Sequence, residues 1–247
     1  MTSERSAKQR DRLDNALVAR GLVDSRTKAQ ALILAGQVRV NGEIATKAGS
    51  AVPKDADLEL VAGPKYASRG GEKLEGALDD FGVNPAGLVC LDVGASTGGF
   101  TDCLLQRDAS RVYAVDVGRG QLAQKLRDDP RVISLEDTHI LKLETLPERP
   151  ALAVIDVSFI SLKNILAKVR SLVDPGATVL PMVKPQFELG AKFLKKGVVR
   201  SEVDRERAVD EVEAAATSAG FECRGRTPAR IKGPKGNQEF FLNLRVI

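Results

Sequence analysis

The chain has 247 residues, with 37 Lys plus Arg against 33 Asp plus Glu and a net charge of +4, so it is long enough for one large domain or one medium domain plus a small one and tolerates an anionic partner without demanding one. Aromatic residues make up 4% and Trp is absent, which argues against affinity for nucleic acid built on base stacking. Three scattered cysteines (Cys90, Cys103, Cys223) exclude a zinc ribbon or disulfide framework and suit a cytoplasmic protein; the opening MTSERSAKQR is no signal peptide, and no apolar run has membrane-spanning length.

Leu13, Ala16 and Leu17 follow helical spacing up to Gly21. Asp24 or Ser25 caps a second helix carrying Ala29, Leu32 and Ile33, which Gly36 ends. QVRVNGEI then alternates around an Asn-Gly turn and reads as a hairpin. Arg10, Arg12, Arg26, Lys28, Arg39 and Lys47 stud this stretch, enough to grip phosphates without reading bases. The pattern RLD, SR..A..LI..G.V.VNG with a following Lys resembles the RNA-binding module named after ribosomal small-subunit protein four. That resemblance implies ribosomal or transfer RNA as partner and the six basic residues as RNA contacts. Residues 1–62 are thus expected to form a small α+β RNA-binding domain. The tract VAGPKYASRGG supplies a hinge, giving a linker over 63–71 and a second domain over 72–247.

From residue 88 the short β-branched runs LVCLDVG, RVYAVDV, RVISLE, ALAVIDVSF and ATVLPMVK alternate with helical segments such as GQLAQKLRDD and SLKNILAKVRSLV. This rhythm predicts an α/β domain with a mostly parallel sheet covered on both faces and ligands at the carboxyl ends of the strands. A helix EVDRERAVDEVEAAATSAG, the segment FECRGRTPAR and a final antiparallel strand EFFLNLRVI close the chain.

The loop Gly94-Ala95-Ser96-Thr97-Gly98-Gly99 follows the first of these strands. It lacks the Lys of a phosphate-binding P-loop, and its glycine spacing is not that of dinucleotide folds. Asp92 ahead of it would repel a pyrophosphate and welcome a cation. S-adenosylmethionine is such a ligand: it carries a sulfonium and an ammonium group and no phosphate. Asp116, ending the second strand, suits a pair of ribose hydroxyls. Ser96 and Thr97 either bond the donor or cap the helix beginning near Gly99. Phe159 and Phe187, after two strand ends, read as core residues, and the lone His139 as structural or exposed rather than a base.

SRGGEKL, LDVGASTGGFTD, VYAVDVGRGQLAQKLRDDPRV, DVSFISL, VKPQFELG, KGVVR and KGPKGNQEFF resemble the TlyA family, whose catalytic half is similar to the FtsJ (RrmJ) class of 2′-O-methyltransferases. The resemblance spans nearly the whole chain. It implies a Rossmann-like, seven-stranded methyltransferase domain, S-adenosylmethionine as cofactor, no metal, no membrane, and a ribosomal RNA ribose, typically of cytidine, as acceptor on ribosomal subunits. It also implies a catalytic tetrad of Lys73, Asp156, Lys184 and Glu239. A ribose hydroxyl must lose its proton as the methyl carbon approaches, and a neutral Lys184 could take it. For the donor it implies Asp92, Gly94, Ala95, Ser96, Thr97, Gly98, Gly99, Phe100, Asp116, Asp137 and Thr138. After the third strand the family shows an Arg and then an Asn where this chain has LEDTHILKL, so the adenine contact among Glu136, Asp137 and Thr138 stays open. The competing readings are a non-catalytic ribosome-assembly factor, against which the full tetrad argues, and a hemolysin, for which no spanning or strongly amphipathic apolar stretch speaks.

Overall fold

The computed structural model describes residues 10–247, so the signal-peptide reading of the chain's opening lies outside the described residues except for Arg10. The chain divides into two compact units, 1–65 and 66–247.

The first unit contains β1 (Arg10–Arg12), α1 (Leu13–Ala19), α2 (Arg26–Leu34), β2 (Val38–Val40), β3 (Glu43–Ile44), β4 (Ala51–Pro53) and β5 (Leu58–Leu60). Ser25, the second of the two candidate caps, starts α2: its Oγ accepts from Lys28 N at 3.3 Å. Asn41 and Gly42 both have positive φ, 51° and 84°, the type I′ geometry that joins β2 to β3 as the Asn-Gly signal predicts. Strand β5 flanks β2 on its other side, and β1 pairs with β4. Leu13, Leu17, Ala29, Ile33, Val38 and Val52 form the core.

The second unit contains α3 (Gly70–Phe81), β6 (Val89–Val93), α4 (Gly99–Gln106), β7 (Arg111–Val115), α5 (Gln124–Arg127), β8 (Val132–Leu135), β9 (Leu152–Ile155), α6 (Leu166–Leu172), β10 (Thr178–Val183), α7 (Pro185–Glu188), α8 (Glu202–Ser218), β11 (Phe221–Pro228) and β12 (Phe240–Val246). Seven strands form one sheet in the order β11-β12-β10-β9-β6-β7-β8. The five from β10 to β8 run parallel, and β12 is antiparallel to both its neighbours, as expected of the last strand. Leu91 and Val93 of β6 point into a core packed by α6 and α8, whereas Cys90 points into the core beneath α3 and α4. Burial on both faces explains why these strands read as unbroken apolar runs. It also pushes the Cys90 thiol up to about 12, with Asp92 adding to the rise.

Lys73 sits inside α3. The helix expected over GQLAQKLRDD is confined to Gln124–Arg127. The residues before it form a loop instead, because Glu136 accepts hydrogen bonds from the amides of Gly120, Gln121 and Leu122 at 2.9, 2.9 and 3.2 Å. Those three amides hold the Glu136 carboxyl below its ordinary range.

Candidate active site

Three adjoining cavities open beyond the carboxyl ends of the central parallel strands, where a doubly wound sheet binds its ligands. One of about 540 Å³ is lined by Lys73, Asp156 and Lys184 together with the loop residues Gly94 to Thr97, Gly99 and Phe100. A second, of about 610 Å³, shares Gly94, Ser96, Asp156 and Ser158 with it and adds Asp116, Val117, Gln121, Thr138, His139 and Ile140. A third, of about 380 Å³, is lined by Lys184, Glu239, Phe159 and Phe187.

The two lysines are each held by one acid. Lys73 Nζ, in the first turn of α3, donates to Glu239 Oε2 at 2.5 Å, and both side chains are buried. Lys184 Nζ lies 2.5 Å from Asp156 Oδ1 and donates to Ser158 Oγ at 2.9 Å. Residues far apart in sequence thus meet because α3 and the strand ends converge at one edge of the sheet. Burial of an ion pair is costly unless its geometry is good; Lys73–Glu239 is hydrogen-bonded, whereas the Lys184–Asp156 contact is close but off hydrogen-bond geometry.

The glycine-rich loop is shaped from below. Gly94 has φ +87°, and a Cβ there would collide with the backbone carbonyl of Asp156. Asp116 accepts from Ser96 N at 2.8 Å and Gly118 N at 2.6 Å, so its carboxylate both faces the second cavity and ties the loop to β7. Neither Ser96 nor Thr97 caps α4: its cap residue is Gly98, with no side-chain bond, and Ser96 Oγ bonds Gln121 Oε1 at 3.3 Å.

Several expected donor residues sit elsewhere. Gly98 lines none of these cavities; its φ is +94° and a Cβ there would strike Leu126 and approach Leu122, so the backbone and the core require the glycine. Asp92 is fully buried beneath the loop and lines no cavity. Its Oδ2 accepts from Thr101 Oγ1 at 2.6 Å, while Oδ1 has no hydrogen-bond partner among the described residues. Burial raises the Asp92 carboxyl to about 7, so it is no fixed anion for a cation. Asp137 also lines none of them, whereas Thr138 does.

Other cavity residues escaped the sequence reading. Phe159 is 91% exposed at φ +66°, not packed in the core; its ring lies 5.1 Å from that of the half-buried Phe187. His139, read as structural or exposed, accepts from Leu141 N through Nδ1 and also lines the second cavity. Glu188 is buried, its carboxyl raised by that burial, and accepts from Ser161 Oγ at 2.5 Å and Leu162 N at 2.9 Å. It thereby ties the segment after Lys184 to the segment after Asp156.

In the first unit all six expected RNA contacts are exposed. Arg12 and Arg26 converge on the buried Asp14, donating at 2.9 and 3.0 Å, and Gln30 donates to the same carboxylate. Lys28 is paired with Asp24. The Asp of RLD is therefore the unit's internal anchor, its carboxyl held far below the ordinary range chiefly by the Arg12 guanidinium. Among the described residues no helix is long and apolar enough to cross a membrane, and no cluster of three or more His, Cys, Asp or Glu is placed to hold a metal.

A doubly wound sheet with an antiparallel final strand and a glycine loop facing an acid on the next strand defines a class, the Rossmann-like folds. The chain belongs to the FtsJ-like methyltransferase family, which matches residues 66–246, and carries an S4 domain over residues 11–58. It is 45% identical over 243 residues to a Mycobacterium tuberculosis protein named 16S/23S rRNA (cytidine-2′-O)-methyltransferase TlyA, covering 96% of this chain and 91% of that one. It is 42% identical over 239 residues to a Brachyspira hyodysenteriae protein named hemolysin A, covering 95% and 100%. A solved structure of a hemolysin-named protein from Streptococcus thermophilus superposes with a TM-score of 0.74 at 39% identity, covering 97% of this chain and 90% of that one. The methyl donor is S-adenosylmethionine. The donor set fits it: the loop offers small residues and no phosphate-binding lysine, and Asp116 presents a carboxylate to the cavity.

Proposed function

We propose that the protein methylates a ribose 2′-hydroxyl, that of a cytidine, in ribosomal RNA, acting on ribosomal subunits in the cytoplasm. The observation that carries this reading is the convergence of two lysine–carboxylate pairs, Lys73–Glu239 and Lys184–Asp156, on cavities that adjoin the donor loop. The activity for which the TlyA relative is named supports the choice of acceptor.

In this reading Asp116 accepts hydrogen bonds from the donor's ribose, Val117 and Ile140 flank its adenine beside Thr138, and the 94–97 loop carries its amino-acid end. The bound donor supplies an electrophilic methyl carbon on a sulfonium that departs as a neutral thioether. The protein's task is positioning and proton removal. Lys184, once its ammonium has released a proton to solvent, takes the hydroxyl proton on Nζ as the ribose oxygen forms its bond to carbon. Asp156 and Ser158 fix the direction of that Nζ, and Lys73 with Glu239 bounds the acceptor from the α3 side. The first unit's exposed arginines and lysines hold RNA phosphates, with Asp14 setting the guanidinium planes of Arg12 and Arg26.

Incubation with labelled S-adenosylmethionine and separately purified, unmodified small and large ribosomal subunits, followed by mapping of the label, tests this. Label on a cytidine 2′-oxygen is expected. Retained RNA binding with no transfer to either subunit would replace the enzyme with a non-catalytic assembly factor.

A further inference from the structure

The cations of the second unit fall into two populations. Many are neutralised within the fold: Arg107 by Asp79 at 2.7 Å, Arg226 by Asp210 at 2.8 Å, Arg230 by Asp80 at 2.6 Å. Five that frame the cavities are not. Arg69 and Lys232 line the cavity of Lys73 and Lys184, Lys235 lines the neighbouring cavity, and Lys195 and Lys196 stand in a turn beside Lys235. All five are exposed, and none forms an ion pair among the described residues.

The turn is specific. Lys195 N donates to Val198 O at 2.9 Å and Val198 N to Lys195 O at 3.1 Å, closing a two-residue hairpin. Its central residues, Lys196 and Gly197, have φ of 52° and 78°, a type I′ turn. That geometry favours Asn, Asp or Gly at the first central position, where a lysine's Cβ is sterically disfavoured. Residues held in such backbone conformations cluster at binding and active sites. The turn is pinned in place by the buried Asn237, whose Nδ2 donates to Gly197 O and whose Oδ1 accepts from Val199 N, each at 3.0 Å. Asn237 lies two residues before Glu239, so the same short segment positions the turn and an acid of the site. The Lys235 ammonium rests against the turn, 3.7 Å from where a Cβ of Gly197 would stand. The nearby acids Glu239 and Asp156 are already committed to Lys73 and Lys184. Unneutralised cations gathered in this way call for an external polyanion.

We infer that the Lys195–Lys196 turn with Lys235 is a phosphate-binding surface for the RNA strand that carries the acceptor ribose, with Arg69 and Lys232 serving the same strand on the other flank. A ribose held at Lys184 has a phosphate on each side. Lys184 lines both the cavity of Arg69 and Lys232 and the cavity of Lys235. The inference rests on the proposed action on RNA and adds strand contacts on the methyltransferase unit to those of the first unit.

The test uses the full chain with unmodified ribosomal subunits and with a short single-stranded RNA, titrated across salt. Lys196→Asn keeps the turn and replaces the lysine with the residue the turn prefers, so its folding midpoint should equal or exceed that of the parent while RNA affinity falls. The triple variant Lys195→Ala, Lys196→Asn, Lys235→Ala should bind at least ~10-fold more weakly at physiological salt and lower the slope of log K against log salt by about 2, at roughly 0.7 for each phosphate left without its cation. S-adenosylmethionine affinity should not move. Lys235→Gln, which leaves the turn sequence intact, guards against misfolding and should account for a slope change of about 0.7 alone. Unchanged slope and affinity in the triple variant overturn the surface. Methyl transfer by the parent protein is scored separately. A parent that binds RNA through these lysines and transfers no methyl group sinks the enzymatic reading and leaves the surface standing. A parent that methylates, with variants that bind as it does, removes the surface alone.

Discussion

Lys184 Nζ meets Asp156 Oδ1 at 2.5 Å because β9 and β10 are parallel neighbours, with Ile155 opposite Pro181, and both residues leave the sheet at the same edge. The close pair, together with the bond from Lys184 Nζ to Ser158 Oγ at 2.9 Å, holds the ammonium at the site. If Lys184 takes the ribose proton, Lys184→Ala should slow transfer by roughly 10²–10⁴-fold with donor and RNA affinity nearly unchanged. Lys184→Arg should not rescue, since a guanidinium keeps its charge near neutral pH and cannot accept a proton. Single-turnover rates on the native subunit across pH provide the measurement. Turnover near that of the parent in the Arg variant would make Lys184 an orienting cation.

The positions of Lys184 and Asp156 could be read from the sequence because each ends an apolar run, and a parallel sheet puts all such ends on one edge. Phe159 could not: a residue right after a buried strand reads as core, and only its left-handed backbone turns the ring outward. Gly98 is ambiguous for another reason. A glycine in a ligand loop can be required by the ligand side or by the core side, and here Leu122 and Leu126 make the demand. Asp14, Glu136 and Glu188 share a third cause. Beyond the local Arg12–Asp14 pair, each carboxylate serves amides or side chains 12 to 27 residues away, as in Arg26 to Asp14 and Ser161 to Glu188, and no local pattern announces such a partner.

The contrast between Asp116 and Gly98 separates a donor contact from a scaffold. Asp116→Ala removes a carboxylate that faces the cavity and holds two loop amides, so donor affinity should drop by about 1–3 kcal/mol. Gly98→Val forces a branched side chain into the leucine contacts at a left-handed backbone. It should cost folding stability, about 1–3 kcal/mol each from overpacking and strain. Titration calorimetry and thermal melts on both variants settle the division. An Asp116→Ala protein that binds S-adenosylmethionine as the parent does would remove that residue from the site.

Docking by the first unit is tested without truncation. Arg10, Arg39 and Lys47 are exposed and lie outside the Asp14 cluster, so their replacement leaves that anchor intact. The triple variant Arg10→Ala, Arg39→Ala, Lys47→Ala should weaken binding to ribosomal subunits and flatten its salt dependence by about 0.7–0.9 for each phosphate no longer neutralised. Donor affinity should stay put. A salt slope equal to the parent's would show that these cations touch no phosphate.

Asp92 predicts a pH dependence of stability with a definite sign. Its carboxyl is raised from 3.8 to about 7 in the fold, first by burial and further by Asp156 and Asp116, with the Thr101 bonds opposing the rise. Between those two values the native state binds a proton that the unfolded chain has already released. Stability therefore falls as pH rises from about 4 to about 7 and the penalty stays constant above that range. Asp92→Asn cannot ionise, and its carbonyl oxygen can still accept from Thr101. The variant should lack this slope and gain on the parent by a few kcal/mol, in order of magnitude, above pH ~7, with the gap closing towards pH ~4. Urea unfolding of both proteins at intervals across that range gives the curves. Parallel curves would mean that Asp92 is ionised throughout, and that something other than Thr101 meets its second oxygen.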